Sequence, residues 1–218
     1  MFFGYSDILT FLIALVAIVL SIMLHEVAHG LVALWNGDDT AKRAGRLNLN
    51  PVSHFDPVGF LMLIFLRFGY AKPVPVNPYN FKNRKVGMFT VSVAGVTLNL
   101  ILAFFCYPLF VVCSEINHLN TFLLYMVVVN LNLAAFNLLP LYPLDGYRIL
   151  NCFIPETNKF MSFLKNYSRY ILIFLLALGI IRDVLDLPLW FDPLSWLLNK
   201  IMEFFLNAFD AFWGLFIR

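Results

Sequence analysis

Three long runs of the sequence contain no charged residue, and they limit the fold more than any other feature does. The runs cover residues 8–24, 86–113 and 121–141. A helix needs about 20 apolar residues to cross a bilayer. The whole chain of 218 residues is 61% hydrophobic and 13% charged, whereas soluble domains carry about 25% charged residues. The sequence therefore predicts an all-α integral membrane protein with spans over about 7–35, 86–113 and 121–141.

The stretch between the first two spans has two unusual parts. Residues 55–68 are apolar but too few for a comfortable span, which favours a re-entrant or interfacial segment. Residues 72–78 contain three prolines, which exclude a helix and predict an extended segment.

The C-terminal part of the chain is predicted to form membrane helices. We expect them at about 165–187 and 194–217, the second being either a further span or an amphipathic helix on the membrane surface. Residues 1–150 would then form the membrane-embedded core, and residues 151–218 the C-terminal helices.

A short motif with metal-binding chemistry follows the first apolar run. Residues 25–29 read H-E-V-A-H, and positions four apart lie on one face of a helix. His25 and His29 can therefore bind one metal ion, with Glu26 beside it as a candidate general base. The pattern also arises by chance, but ionisable groups within a membrane span are costly and indicate function.

The basic residues predict how the chain is oriented. Residues 36–85 hold eight Lys or Arg and residues 142–170 hold four, whereas residues 1–7 and 114–120 hold none. By the positive-inside rule, the N-terminus lies outside the cell membrane and both basic regions are cytoplasmic. The H-E-V-A-H motif then lies in the cytoplasmic half of the first span.

The same orientation indicates a third metal ligand. The third span runs inward, so Asp145 arrives on the same side of the membrane as His25 and His29. Catalytic zinc usually has three protein ligands and a water, and these three residues would supply two nitrogens and one oxygen. Asp56 and His54 are rival ligands, and Asp145 is alternatively a simple turn residue, because Asp-Gly is a common turn pair.

Five motifs together resemble a known family. They are H-E-V-A-H at 25–29, N-P-V-S-H-F-D-P-V-G at 50–59, K-P-V-P-V-N at 72–77, A-G-V-T-L-N at 94–99 and F-N-L-L-P-L-Y-P-L-D-G at 136–146. In this order they resemble the site-2 protease family of intramembrane zinc metalloproteases, in particular its compact bacterial branch without a PDZ-like domain.

The resemblance implies a three-span catalytic core that binds one Zn²⁺ through the two motif histidines and Asp145, with Glu26 as the base. It also implies that Asn99 and Asn137 lie beside the substrate. One departure is visible, because the family often has proline after the glycine at 95 and this chain has Val96.

The expected substrate is a transmembrane segment of another membrane protein in the lipid bilayer. Such a helix must unwind before hydrolysis, and its backbone then needs new partners. The extended segment, through Val74 and Val76, could provide them by strand addition. A structural role is favoured for His54 over zinc binding. The net charge of +2 indicates no nucleic-acid partner.

Two alternative functions fit parts of the same pattern. A membrane transporter or channel with a regulatory metal site would explain the asparagines within the spans and a re-entrant segment. An inactive family member acting as a scaffold is the other alternative, although the intact Glu26 argues against it.

Overall fold

The computed structural model describes residues 8–66, 69, 71–113, 115 and 117–217. All regular secondary structure of these residues is helical. The α-helices are α1 (Ile8–Trp35), α2 (Thr40–Arg43), α3 (Pro51–His54), α4 (Pro57–Leu66), α5 (Arg84–Val112), α6 (Asn117–Asn137), α7 (Asp145–Asn151), α8 (Lys159–Leu185) and α9 (Pro193–Trp213). Short 3₁₀ turns occur at Pro78–Asn80 and Leu189–Phe191.

Helices α1, α5 and α6 are each long and apolar enough to cross a membrane, which confirms the predicted all-α membrane class. Two of the helix ends that differ from the prediction have a local cause. α5 begins at Arg84, because the side chain of Asn83 accepts a hydrogen bond from Val86 N and caps the helix. α6 ends at Asn137, ahead of Pro140, because the residue before a proline is disfavoured in a helix and proline cannot continue one.

The connection between α1 and α5 contains the short apolar segment and the extended segment. α4 rises about 1.5 Å per residue, or about 15 Å in all, which is about half of the hydrocarbon thickness. Residues 67 and 68 of the predicted re-entrant segment lie outside the described residues. Residues 71–77 contain no helix, in agreement with the pattern of prolines.

Asp38 fastens the extended segment to the end of α1. Its buried carboxylate accepts hydrogen bonds from Asn77 N at 2.6 Å, Asn80 Nδ2 at 2.8 Å and Thr40 N at 3.1 Å, and also from the Thr40 hydroxyl. Burial raises the pKa of this carboxyl, but the hydrogen bonds together outweigh burial and lower the pKa below its usual 3.8. Asp38 is therefore an ionised group that holds the loop in place.

The chain divides into two compact units, one ending at Leu133 and the other beginning at Ala134. In the first unit, α1 and α5 pack along each other. Small residues of α1 pack against Tyr125 and Met126 of α6. The packing of α1 against α5 places polar groups of the two helices within hydrogen-bonding distance of each other. The candidate site lies at these groups.

In the second unit, α7 and α8 pack around a small core, and α9 contacts α8. The core residues are Tyr147, Met161 and Leu164. α8 begins earlier than predicted because Asn158 caps it, accepting a hydrogen bond from Phe160 N. Neither α8 nor α9 is among the described helices that are long and apolar enough to span a membrane.

Candidate metal centre

The two histidines of the motif face each other across one turn of α1. Their Nε2 atoms are 3.0 Å apart, and the rings meet edge to face with centroids 4.6 Å apart. Both side chains are buried, with 6% and 5% exposed. The helix therefore directs one nitrogen from each ring to a single point, as the spacing of the motif predicted.

The opposite ring nitrogens are held by α5. His29 Nδ1 lies 2.7 Å from the carbonyl oxygen of Val91, which can only accept, so Nδ1 carries the ring proton. His25 Nδ1 lies 2.8 Å from Asn99 Oδ1 and donates to it. In each neutral ring the lone pair is then on Nε2. Metal-binding histidines are commonly oriented by such a bond from the other ring nitrogen.

The arrangement of the two rings fits a divalent cation. Two lone pairs that face each other at 3.0 Å repel unless a positive charge lies between them. Tetrahedral zinc with Zn–N bonds of about 2.0–2.1 Å separates two nitrogen ligands by about 3.3 Å. The observed separation is close to that value, so His25 and His29 could bind zinc with little movement.

Gly95 allows the His25 ring to lie directly against α5. A Cβ at this position would come within 2.6 Å of Nδ1 and Nε2 of His25, closer than atoms in contact can approach. Gly95 therefore does more than permit close packing of the two helices, because the His25 imidazole occupies the space that a side chain at position 95 would need.

Glu26 connects the motif to the extended segment. Its Oε2 accepts a hydrogen bond of 2.8 Å from Val74 N. The same segment is held elsewhere by Lys72, whose N–H donates to His54 O at 3.0 Å and whose carbonyl accepts from Arg46 Nη2 at 2.6 Å. Val74 and Val76 therefore lie in a strand-like piece that is fixed beside the candidate base.

The rival third ligands have local structural partners. His54 is buried, and its Nε2 donates to the carbonyl of Asn48 at 3.0 Å, which orders the loop before α3. Asp56 accepts a hydrogen bond of 2.8 Å from Gly59 N and so caps the first turn of α4. Both contacts are of the structural kind that the sequence analysis favoured for His54.

The predicted third ligand, Asp145, belongs to the second compact unit, whereas His25 and His29 belong to the first. Asp145 begins α7 and is 5% exposed. The glycine that follows it is required by packing, because a Cβ at Gly146 would overlap the carbonyl oxygens of Leu138 and Leu139.

The structure gives different surroundings to the two asparagines predicted to lie beside the substrate. Asn99 is fully buried, with Oδ1 on His25 and Nδ2 donating to Asn130 Oδ1 at 3.1 Å. Asn137 is the partly exposed last residue of α6. Neither the Asn130 contact nor the structural role of Asp38 was predicted from the sequence. The sequence signal for Asn130 was an amide within an apolar span.

Comparisons with known proteins agree with a metalloprotease. Residues 112–179 match the model of peptidase family M50. The chain is 42% identical over 149 residues to "Putative zinc metalloprotease YwhC" of Bacillus subtilis, covering 64% of this chain and 68% of that protein. No solved structure matches the chain significantly.

More distant relatives have similar names. "Putative zinc metalloprotease Rip2" of Mycolicibacterium smegmatis is 27% identical over 195 residues, which cover 85% of this chain and 74% of that protein. "Putative zinc metalloprotease MJ0611" of Methanocaldococcus jannaschii is 28% identical over 150 residues, covering 68% and 75%.

The fold and the site together define a multi-pass membrane protein of the metalloprotease class. The chain belongs to peptidase family M50, the site-2 protease family.

Proposed function

We propose that this protein is an intramembrane zinc endopeptidase that hydrolyses peptide bonds in or near transmembrane segments of other proteins. The observation that carries the proposal is the pair of converging Nε2 atoms with Glu26 beside them, on a helix apolar enough to span the membrane. Buried ionisable groups at membrane depth are costly, and this cluster has the composition of a hydrolytic metal site.

The proposed ligands of one Zn²⁺ per chain are His25, His29 and Asp145. The lone pairs that face each other on the two imidazoles and the predicted arrival of Asp145 on the same side of the membrane support this set. Bound zinc would lower the pKa of a coordinated water to about 7 and polarise the scissile carbonyl. The chain itself orients both imidazoles through Asn99 and the carbonyl of Val91.

Glu26 is proposed as the general base. Oε2 is held by the N–H of Val74, which fixes the carboxylate while Oε1 takes a proton from the attacking water. The same atom then gives the proton to the departing amine. Fixing one oxygen limits rotation of the side chain, so the proton-carrying oxygen stays aimed at the reacting atoms.

The substrate would bind as an unwound strand next to residues 71–77. Pro73 and Pro75 have no N–H, and Val74 N is already bonded to Glu26. A substrate strand at this segment would therefore mainly donate its own N–H groups to carbonyl oxygens. Val74 and Val76 would contact the substrate, Asn137 would bind its backbone, and Asn99 would lie beside the substrate.

The proposed location is the cell membrane, with the N-terminus outside and the site toward the cytoplasm. The charge distribution supports this orientation, since residues 36–85 and 142–170 carry most of the basic residues. Water would reach the site through the polar loop at residues 36–54.

Cleavage of a model transmembrane substrate by the purified protein in detergent tests the proposal. We expect cleavage that a chelator abolishes, that added Zn²⁺ restores, and that Glu26→Gln eliminates while zinc binding remains. Transport activity that survives Glu26→Gln would instead support a transporter. Zinc binding without cleavage of any of several substrates would support a scaffold.

A further inference from the structure

We propose that Asn130 is a positioning residue of the metal centre. Acting through Asn99, it fixes the tautomer of His25 so that Nε2, and not Nδ1, faces the metal. The inference rests on the proposed metal centre, but it concerns how the chain prepares a ligand and does not depend on which bond the enzyme cleaves.

The orientation of the Asn130 amide is set by a backbone group. Its Nδ2 lies 2.7 Å from the carbonyl oxygen of Met126, which can only accept a hydrogen bond. The same nitrogen donates to Ser21 Oγ at 2.8 Å. Because Nδ2 is fixed by these two acceptors, Asn130 must present Oδ1 toward α5.

The next two links follow from that orientation. Asn130 Oδ1 accepts a hydrogen bond of 3.1 Å from Asn99 Nδ2. The amide of Asn99 is thereby oriented with its oxygen toward α1, where Oδ1 lies 2.8 Å from His25 Nδ1. Because this oxygen can only accept, His25 carries its proton on Nδ1 and its lone pair on Nε2.

Burial makes this arrangement the single consistent one. Asn99, Asn130 and Ser21 are each 0% exposed, so water cannot replace a lost partner. Reversing either amide would place two donors or two acceptors against each other, which is costly in an apolar environment. The network joins α1, α5 and α6 and thus prepares His25 before any metal binds.

His29 shows what is particular about His25. Its Nδ1 donates directly to the backbone carbonyl of Val91, which no side-chain substitution removes. The tautomer of His25 depends instead on two side chains, of which Asn130 acts through Asn99. Loss of an outer hydrogen-bond partner of a metal ligand typically lowers metal affinity by about 10–100-fold.

The experiment uses the purified full-length chain in detergent and Co²⁺ as the probe, because its visible absorption spectrum reports the ligand geometry. We expect Asn130→Leu to lower Co²⁺ affinity about 10–100-fold and to change the spectrum. Asn130→Asp has the same shape and, buried as the neutral acid, can still accept from Asn99 and donate to Met126 O. It should restore affinity to within a few-fold of wild type.

Asn132→Leu is the matched control. This residue lies on the same helix, and its amide donates to the carbonyl of Val128 at 2.8 Å. We expect the control to leave both the Co²⁺ affinity and the spectrum unchanged. An equal loss of affinity in the control and in Asn130→Leu would overturn the inference, because it would indicate general loosening of α6.

A second measurement reads the tautomer directly and needs no metal. Nitrogen-15 NMR of labelled histidines should show His25 protonated on Nδ1 in the wild type and a mixture of tautomers in Asn130→Leu. Should that variant fail to fold, Asn130→Ser carries the same test, because its short side chain cannot reach both partners. An unchanged tautomer together with unchanged Co²⁺ affinity would refute the positioning role. Normal Co²⁺ binding without peptide cleavage would refute only the proposed function.

Discussion

The amide network around His25 and the hydrogen-bonded cluster around Asp38 differ in the chemical group that each buries. The first consists of neutral side chains, Asn99, Asn130 and Ser21, within helices apolar enough to span a membrane. The second has an ionised carboxylate at its centre, just beyond the end of α1, with four hydrogen bonds.

The difference follows from the solvent that each region would face. At membrane depth a charged side chain costs about 2.5–3.5 kcal/mol or more, so an orienting group there is better neutral. Near the aqueous boundary a carboxylate with several donors can remain charged and holds a loop more strongly than an amide. The two clusters should therefore respond differently to substitution and to pH.

The largest effect is expected for Gly95→Ala, which tests the network at its most crowded point. The added methyl group would displace the His25 ring, and we expect loss of stoichiometric zinc and a fall in cleavage of about 100-fold or more, since displacements of about 1 Å have that effect. Zinc per chain, measured by mass spectrometry, checks this.

Gly87→Ala is the control on the same helix. Its Cβ would lie 2.5 Å from the Phe81 ring, so we expect overpacking to cost about 1–3 kcal/mol while zinc is retained. A Gly95→Ala protein with full zinc content would show that the site does not depend on this close approach.

A smaller effect is expected for Asp38→Asn. The substitution replaces one carboxylate oxygen with an NH₂ group, which cannot accept from Asn77 N or Thr40 N. We expect a loss of about 1–3 kcal/mol in the free energy of unfolding and a decrease in cleavage, with zinc affinity unchanged. Equilibrium unfolding in detergent and zinc titration check both parts, and a fall in zinc affinity would contradict the separation of the two clusters.

The pH dependence of stability should also distinguish the Asp38 cluster from the amide network around His25. Because the folded protein lowers the pKa of Asp38 below 3.8, this group stabilises the fold fully above its unfolded pKa of about 3.9. That contribution is lost as the pH falls through the lower folded pKa. Wild type should therefore lose more thermal stability than Asp38→Asn below about pH 4. Parallel melting curves would argue against an ionised Asp38.

The smallest effect is expected for Asp39→Asn, beside Asp38 in the sequence. Asp39 forms an ion pair of 2.7 Å with Arg43, but its side chain is 49% exposed and that of Arg43 67%. Exposed pairs contribute about 0–1 kcal/mol, so the free energy of unfolding should change by less than about 0.5 kcal/mol. A loss as large as that of Asp38→Asn would mean that burial is not what separates the two carboxylates.

The spans and the histidine pair could be predicted because their signals are local. A long uncharged run predicts a membrane span, and a spacing of four residues predicts that two side chains lie on one face of a helix. The exact ends of α5 and α6 could not, since they depend on the Asn83 cap and on the backbone before Pro140. Asp38 and Asp39 look alike in sequence, and only the return of the chain through Asn77 and Asn80 distinguishes them.

The hydrogen-bond partners of His25 and His29 were harder to predict than the pairing of the two histidines. An amide in mid-span indicated that Asn99 needs a partner, but the identity of that partner depends on how α1 meets α5 at Gly95. Such a contact between distant segments has no short-range signal. For the same reason, the sequence did not distinguish Asn130 from the other asparagines of the third span.

The bond between Val74 and Glu26 gives the K-P-V-P-V motif a physical meaning. Pro73 and Pro75 have no amide hydrogen, and each fixes its own backbone angle, so the N–H of Val74 is the one backbone donor within residues 73–75, and it donates to the Glu26 carboxylate. The extended segment and the proposed base are thereby linked to each other. A bound peptide that displaced this segment would turn the carboxylate as well.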